Sequence, residues 1–380
     1  MNRRIAEIEV LRGFAVLFVV VHHANGNLFT WGSEGLSRFY GVFGGWFGVD
    51  LFFAISGFVI ARDLVPRLQG CVSQEQAIRT TLAFWVRRAW RLWPSAWLWL
   101  MVILSACVFA NQSGAFGSLR TNFEATVVAV LQVANLRFAE SFMNWPYGAS
   151  FPYWSLSLEE QFYLLFPLVV LFSRRWLPYV LIALVLAQLF LVRTPMLMVF
   201  RTDALALGVL LALWTQHSSY QLARPVIMSR RGIGTLAMLG LFVCLGALSS
   251  DVLHTVSIKV GMIALISALL VWLASYDAGY LLRPGIASRA LSWLGARSYA
   301  IYLIHVPAFF LVREIFYRLA GGNGAFGDTH FWPFVLSSAV LILLLAEFNY
   351  RLVEVPLRNR GAAVAKRIMS AEPVGPGATA

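Results

Sequence analysis

Residues 46–62 read WFGVDLFFAISGFVIAR, a proline-free run whose only charge before the closing Arg62 is Asp50. A helix that crosses the hydrocarbon of a bilayer needs about 20 mainly apolar residues, and this stretch has the length and character of one. Nine further segments qualify on the same terms: 10–29, 92–110, 154–173, 176–193, 197–214, 232–249, 256–275, 297–317 and 332–351. The 380-residue chain is 59% hydrophobic and only 13% charged, with a mean hydropathy of +0.71. A soluble domain of that length could not hide so much apolar surface. The sequence therefore predicts an all-α fold, a polytopic transmembrane helical bundle of about ten spans.

Arginine placement orients the bundle. Lys and Arg gather on the cytoplasmic side of membrane proteins. With both termini cytoplasmic, 21 of the 30 basic residues fall inside, among them Arg3, Arg4, Arg87, Arg88, Arg91, Arg174, Arg175, Arg230 and Arg231. Seven fall outside, and Arg12 and Arg201 lie within spans. The net charge of +12 would suggest nucleic acid in a soluble protein. Here topology and anionic headgroups account for it, and no nucleic-acid partner is expected. Segment 122–138 (NFEATVVAVLQVANLRF) is apolar but interrupted by Gln132, Asn135 and Arg137. An eleventh span there would invert every later loop, so a re-entrant or interfacial helix is expected. The run from Val10 to Val21 follows Arg3 and Arg4 as a signal peptide would, yet His22-His23-Ala24-Asn25 is a poor cleavage site, so the first span is read as retained. Residues 1–360 form the membrane domain, and the small, Pro/Gly-rich end of 361–380 reads as a disordered cytoplasmic tail. Cys71, Cys107 and Cys244 have no pair spacing and give neither a disulfide framework nor a metal motif.

Ionisable residues inside spans are costly and default to functional candidates. Arg12 and His23 are eleven residues apart in the first span, near one face and about 16 Å apart along the axis. A plainer reading makes Arg12 an interfacial snorkeller and His22-His23 the outer end of the span. Asp50 and Ser56 share the second span, where Gly48 and Gly57 would let neighbouring helices approach. In the fourth span, YWSLSLEEQFYLLFP, Glu159 shares a face with Ser155 and with Tyr163, each four residues away. Arg201 and Asp203 in the sixth span point to different faces, and His305 in the ninth precedes the kinking Pro307. Glu354 and Pro356 at the end of the tenth read as fixing the helix end. Each signal alone is weak; together they describe a polar interior built from at least five helices. The loop between the second and third spans ends AFWVRRAWRLWPSAW, with Arg87, Arg88 and Arg91 among four tryptophans. Positive-inside bias with an aromatic belt would produce this pattern. So would a site for a nucleotide bearing several phosphates, because arginine grips phosphate bidentately and tryptophan stacks on a base.

These pieces, in this order, resemble acyltransferase family 3, a family of integral membrane O-acyltransferases. The motifs are Arg12 with His23 in the first span, GVDLFFAISGF, Arg88-x-x-Arg91, WSLSLEEQFY, RTDALALG, SYAIYLIHVP and the terminal VEVP, running from Ile5 to about Arg358. The resemblance implies transfer of an acyl group, usually acetyl from cytoplasmic acetyl-CoA, to a hydroxyl of a surface or secreted glycan, glycolipid or related acceptor. It implies a bacterial-type inner membrane location. It assigns His23 as the catalytic histidine, Arg12 as its motif partner, Arg88 and Arg91 to the donor and Glu159 with Tyr163 to the family's acidic motif. Many relatives carry a further hydrolase-like domain after the last span; this sequence stops soon after it, so such a partner is expected as a separate protein.

For the chemistry, His23 is the candidate general base, since a neutral imidazole is available near neutral pH. Asp50 or Glu159 would orient it, and Arg12 or His305 would stabilise negative charge. Acyl-CoA enters as donor substrate, and no permanently bound cofactor or metal is expected. A transporter or flippase would also bury charges among broken helices, but it gives no reason for the Arg/Trp cluster. HExxH, GxSxG and Walker A motifs are absent, which removes support for hydrolase and ATPase classes.

Overall fold

The computed structural model describes residues 5–142, 144–191, 193–230, 232–253 and 258–370. Arg3, Arg4, Arg231 and the last ten residues of the expected tail lie outside them. The helices are α1 (Ala6–Ala24), α2 (Glu34–Val42), α3 (Phe47–Gln69), α4 (Gln74–Phe109), α5 (Leu119–Val130), α6 (Ala134–Ser141), α7 (Tyr153–Ser173), α8 (Leu177–Phe190), α9 (Pro195–Met198), α10 (Asp203–Trp214), α11 (Ser218–Leu222), α12 (Ile233–Leu248), α13 (Lys259–Ser275), α14 (Ile286–Ala296), α15 (Ser298–Leu319), α16 (Phe331–Asn349) and α17 (Val355–Ser370). Among the described residues there is no strand beyond one isolated bridge between Asn25 and Phe29.

Nine of the ten segments expected to span overlap a single helix, and the tenth, 197–214, is broken at 199–202 between α9 and α10. Six helical stretches, Glu34–Gln69, Gln74–Phe109, Tyr153–Phe190, Pro195–Trp214, Ser298–Leu319 and Asp328–Ser370, are long and apolar enough to cross a membrane. Burial is arranged as lipid requires. Leu164, Leu165 and Phe172 on α7, Val180 and Leu186 on α8, and Leu336, Val340 and Leu344 on α16 are exposed, whereas Asp50, Arg201, Asp203, His305 and Glu314 are buried. That inverts the usual soluble pattern and describes a multi-pass membrane protein.

Small residues set the closest crossings. A Cβ on Gly57 would stand 2.1 Å from the Leu205 carbonyl oxygen, and one on Gly208 would stand 2.1 Å from that of Ala54, so α3 and α10 touch backbone to backbone. Gly48 plays the same part against Ala15 of α1, at 2.5 Å. The contact of α1 with α3 is therefore set by the motif GVDLFFAISGF itself.

Four expectations need adjusting. Segment 122–138 is not one helix but two, α5 and α6, broken where Gln132 takes a φ of 60°; at twelve and eight residues neither is long enough to cross. The tryptophan-rich arginine cluster lies within α4, a single helix of 36 residues, rather than at the end of a loop. Glu354 does not end its helix: a π-turn at Tyr350–Glu354 carries the chain on into α17, with Glu354 accepting from Asn349 Nδ2 at 3.0 Å. Residues 361–370 consequently belong to a helix that packs along α4, Gly361 lying against the Trp90 side chain, and not to a disordered tail. The π-turn gives the physical reason: it re-aims the last helix back onto the protein, so that small residues such as Gly361 and Ala365 find cover.

Candidate active site

Two histidines 282 residues apart in sequence meet where α1 packs on α15. His23 Nδ1 lies 2.8 Å from His305 Nε2, and the rings stack with centroids 5.1 Å apart and planes 9° from parallel. The tautomers follow from one further contact. His305 Nδ1 is 3.2 Å from the Ile301 carbonyl oxygen, one turn back on α15. A carbonyl only accepts, so His305 Nδ1–H donates and, in the neutral ring, Nε2 is left as an acceptor. His23 must then donate from Nδ1–H, which puts its own lone pair on Nε2. Backbone, His305 and His23 thus form a relay that presents one defined basic nitrogen. His305 is fully buried; His23 is half-buried, with Phe151 edge-on to its ring at 4.9 Å.

Toward the start of α1 lies a small cavity of about 70 Å³. Arg12 from α1, Arg88 and Arg91 from α4, Ser56 from α3, Glu159 from α7 and Tyr302 from α15 are among its walls. Three guanidinium groups face this one cavity, a donor set that suits an anionic group. Arg88 is held against the faces of Phe84 and Tyr163, 5.5 and 5.3 Å from their centroids. Arg12 pairs with Glu9 at 3.4 Å. Glu159 Oε1 accepts from both Ser56 and Tyr163. Tyr302 connects the cavity to the histidines: its hydroxyl is 2.6 Å from Ser155 Oγ, and its ring stands 5.7 Å from that of His305. Arg87 is half-buried and is not among the lining residues.

The charges of α3 and of the segment leading into α10 do something else. Arg201 Nη2 donates to Asp50 Oδ2 at 3.0 Å, and its Nε lies 2.9 Å from Oδ1 off the hydrogen-bonding angle. The guanidinium also lies over Trp46 and Trp154, at 5.3 and 5.0 Å. Asp203, facing the other way, pairs with Arg193 at 2.6 Å. Asp50 and Glu159 were expected to orient His23, but their hydrogen bonds run to Arg201 and to Ser56 and Tyr163 instead. The group facing His23 Nδ1 is His305, which was expected to stabilise charge instead. Ser155, Tyr163, Arg12, Arg88 and Arg91 line one cavity. Sequence reasoning missed Tyr302; its position three residues before His305, on the same helical face, was the available signal.

A sequence model of an acyltransferase domain matches residues 5–347. YrhL of Bacillus subtilis is 28% identical across 95% of this chain and 56% of its own length. The peptidoglycan O-acetyltransferase OatA of Listeria monocytogenes is 26% identical across 95% of this chain and 57% of its own. The O-acetyltransferase OatA of Staphylococcus aureus is 27% identical across 94% and 58%. The chain thus spans under three fifths of the length of these relatives. No solved structure matches it.

Proposed function

The chain belongs to acyltransferase family 3, and from that premise we propose that it is a membrane O-acetyltransferase. The donor in this reading is cytoplasmic acetyl-CoA. The acceptor is a hydroxyl of a cell-envelope glycan; peptidoglycan, named for the relative from Listeria monocytogenes, is the first to try. The reading takes ten spans with both termini cytoplasmic, which puts the arginine cavity at the cytoplasmic end of the bundle and His23 toward the opposite side.

The observation that carries it is the sequence of chemistries along one path. Arg12, Arg88 and Arg91 form an anion site suited to the phosphates of a nucleotide thioester. Tyr302 and Ser155 lie next, and then the His305–His23 relay. Arg12 and His23 are about 16 Å apart along α1, a gap suited to the extended arm that separates phosphates from thioester in the donor. His23 Nε2 takes the proton of the acceptor hydroxyl as its oxygen attacks the thioester carbonyl carbon. The tetrahedral adduct collapses by breaking the carbon–sulfur bond, and the proton returns from His23 to the departing thiolate. The Tyr302 hydroxyl, engaged by Ser155 Oγ at 2.6 Å and the Pro152 carbonyl at 3.2 Å, lines the path between the cavity and the histidines. His305 holds His23 in the tautomer the step requires.

Membranes carrying the wild-type chain, the His23→Ala variant or neither, given radiolabelled acetyl-CoA and peptidoglycan, provide the test. Label in the glycan that depends on the protein and on His23 supports the reading. Protein-dependent label retained in full by His23→Ala removes the base from the mechanism, and absence of any protein-dependent label removes the activity.

A further inference from the structure

Beyond the histidine relay, on the side away from the arginine cavity, the segment between α4 and α7 folds back over the end of α1 and leaves a cleft. Asn27, Phe142, Trp145, Tyr147, Phe151 and Phe310 are among its walls. We propose that this cleft is the acceptor subsite, binding a pyranose ring of the glycan by stacking on its aromatic walls and holding a ring hydroxyl toward His23. The proposal rests on the acetyltransferase reading above and deepens it.

Three observations converge. The cleft shares its walls with the site: Phe151 stands edge-on to His23, and Asn27 donates from Nδ2 to the His23 carbonyl at 2.8 Å. A ligand resting against Phe151 is therefore one side chain away from the basic nitrogen. The lining chemistry also fits a sugar. A pyranose presents an apolar C–H face and a polar rim, and the flat rings of Trp145 and Phe142, 40% and 48% exposed, match the first while a few polar groups suffice for the second. Finally, the aromatic walls are held in place. The Arg137 guanidinium lies over both Trp145 and Tyr147, at 4.6 and 5.5 Å, and is tied to Glu124 at 3.2 Å; its buried Nε has no hydrogen-bond partner. Tyr147 donates to the Ala134 carbonyl at 3.4 Å, anchoring the cleft to α6. Tryptophans that merely mark the bilayer interface need neither a cleft nor an arginine fixed across them. The break at Gln132 between α5 and α6 now has a use: it turns Arg137 and the segment after it over the end of α1.

The test uses the full-length chain purified in detergent and peptidoglycan fragments released by a muramidase. Fragment binding is followed by calorimetry, and labelled acetyl transfer is measured in the same preparation. Trp145→Ala and Tyr147→Ala should each weaken fragment binding and raise the acceptor KM about tenfold or more, leaving the acetyl-CoA KM within twofold. Trp145→Phe, which keeps a flat ring, should recover most of the loss. Fragment binding by Trp145→Ala equal to wild type, or no binding by the wild type itself, overturns the subsite. Fragment binding that depends on Trp145 without any acetyl transfer would leave the subsite standing and remove the acetyltransferase reading; transfer with an acceptor KM indifferent to Trp145 would do the reverse.

Discussion

Replacing His305 by leucine isolates the relay from the base it serves. The substitution removes the acceptor 2.8 Å from His23 Nδ1 while filling a buried position with a side chain of similar bulk. His23 then carries an unpaired N–H beside apolar neighbours, which costs on the order of 1–3 kcal/mol. It also loses the contact that fixes its tautomer and ring plane. General-base catalysis contributes roughly 10²–10⁴-fold, and a base free to rotate or to carry its proton on Nε2 forfeits most of that. The expected result is a fall in kcat of about 10²-fold or more, with the acetyl-CoA KM nearly unchanged because His305 is not among the residues lining the arginine cavity. His305→Gln can accept from His23 Nδ1–H through its amide oxygen and should regain about tenfold over His305→Leu. Initial rates of labelled acetyl transfer at saturating donor and acceptor decide the matter. A His305→Leu enzyme within twofold of wild type, alongside an inactive His23→Ala, would refute the relay.

Other consequences lie elsewhere in the bundle. Arg88→Ala and Arg91→Ala should each raise the acetyl-CoA KM by about ten- to a hundred-fold, the worth of a charge-assisted hydrogen bond of roughly 1.5–3 kcal/mol, with a smaller effect on kcat; donor titrations read this directly. Asp50→Asn or Arg201→Met alone leaves a buried group unpaired at about 3–5 kcal/mol, so either should lower the midpoint of thermal unfolding in detergent sharply, and the double variant should recover part of the loss. Gly208→Ala places a Cβ 2.1 Å from the Ala54 carbonyl oxygen and 2.8 Å from the Phe58 nitrogen, both backbone atoms that cannot rotate aside. It should cost about 1–3 kcal/mol, visible as a lower unfolding midpoint without a change in KM.

The elements were legible in the sequence and their faces were not. Apolar length located helix at the expected spans, though 197–214 breaks between α9 and α10, and charges stranded inside apolar runs picked out Arg12, His23, Asp50, Glu159, Arg201 and His305. Their partners could not be read the same way. In a lipid-facing helix apolar residues occur all round, so the hydrophobic period that marks the buried side of a soluble helix is weak. Nothing in the sequence told Asp50 to meet Arg201, 151 residues away, or His23 to meet His305. The departures near the ends have local causes. Glu354 and Pro356 look like a terminus, but a π-turn absorbs the irregularity and the helix goes on. Segment 122–138 has the hydropathy of one dip, yet the positive φ at Gln132 divides it and builds the aromatic cleft. Arg88-x-x-Arg91 was the easiest pairing to read, because residues three apart on one helix share a face wherever that helix packs, and both line the cavity.

The central claim is that His23 supplies the base for acetyl transfer, and chemical rescue tests it most directly. Labelled acetyl transfer by His23→Ala is measured in purified protein with and without added imidazole, beside Arg88→Ala treated identically. The account predicts that His23→Ala is slowed at least 10²-fold, the low end of what a general base contributes, and that imidazole restores part of its rate but none of that lost by Arg88→Ala. A His23→Ala protein that transfers acetyl at the wild-type rate without imidazole would contradict it.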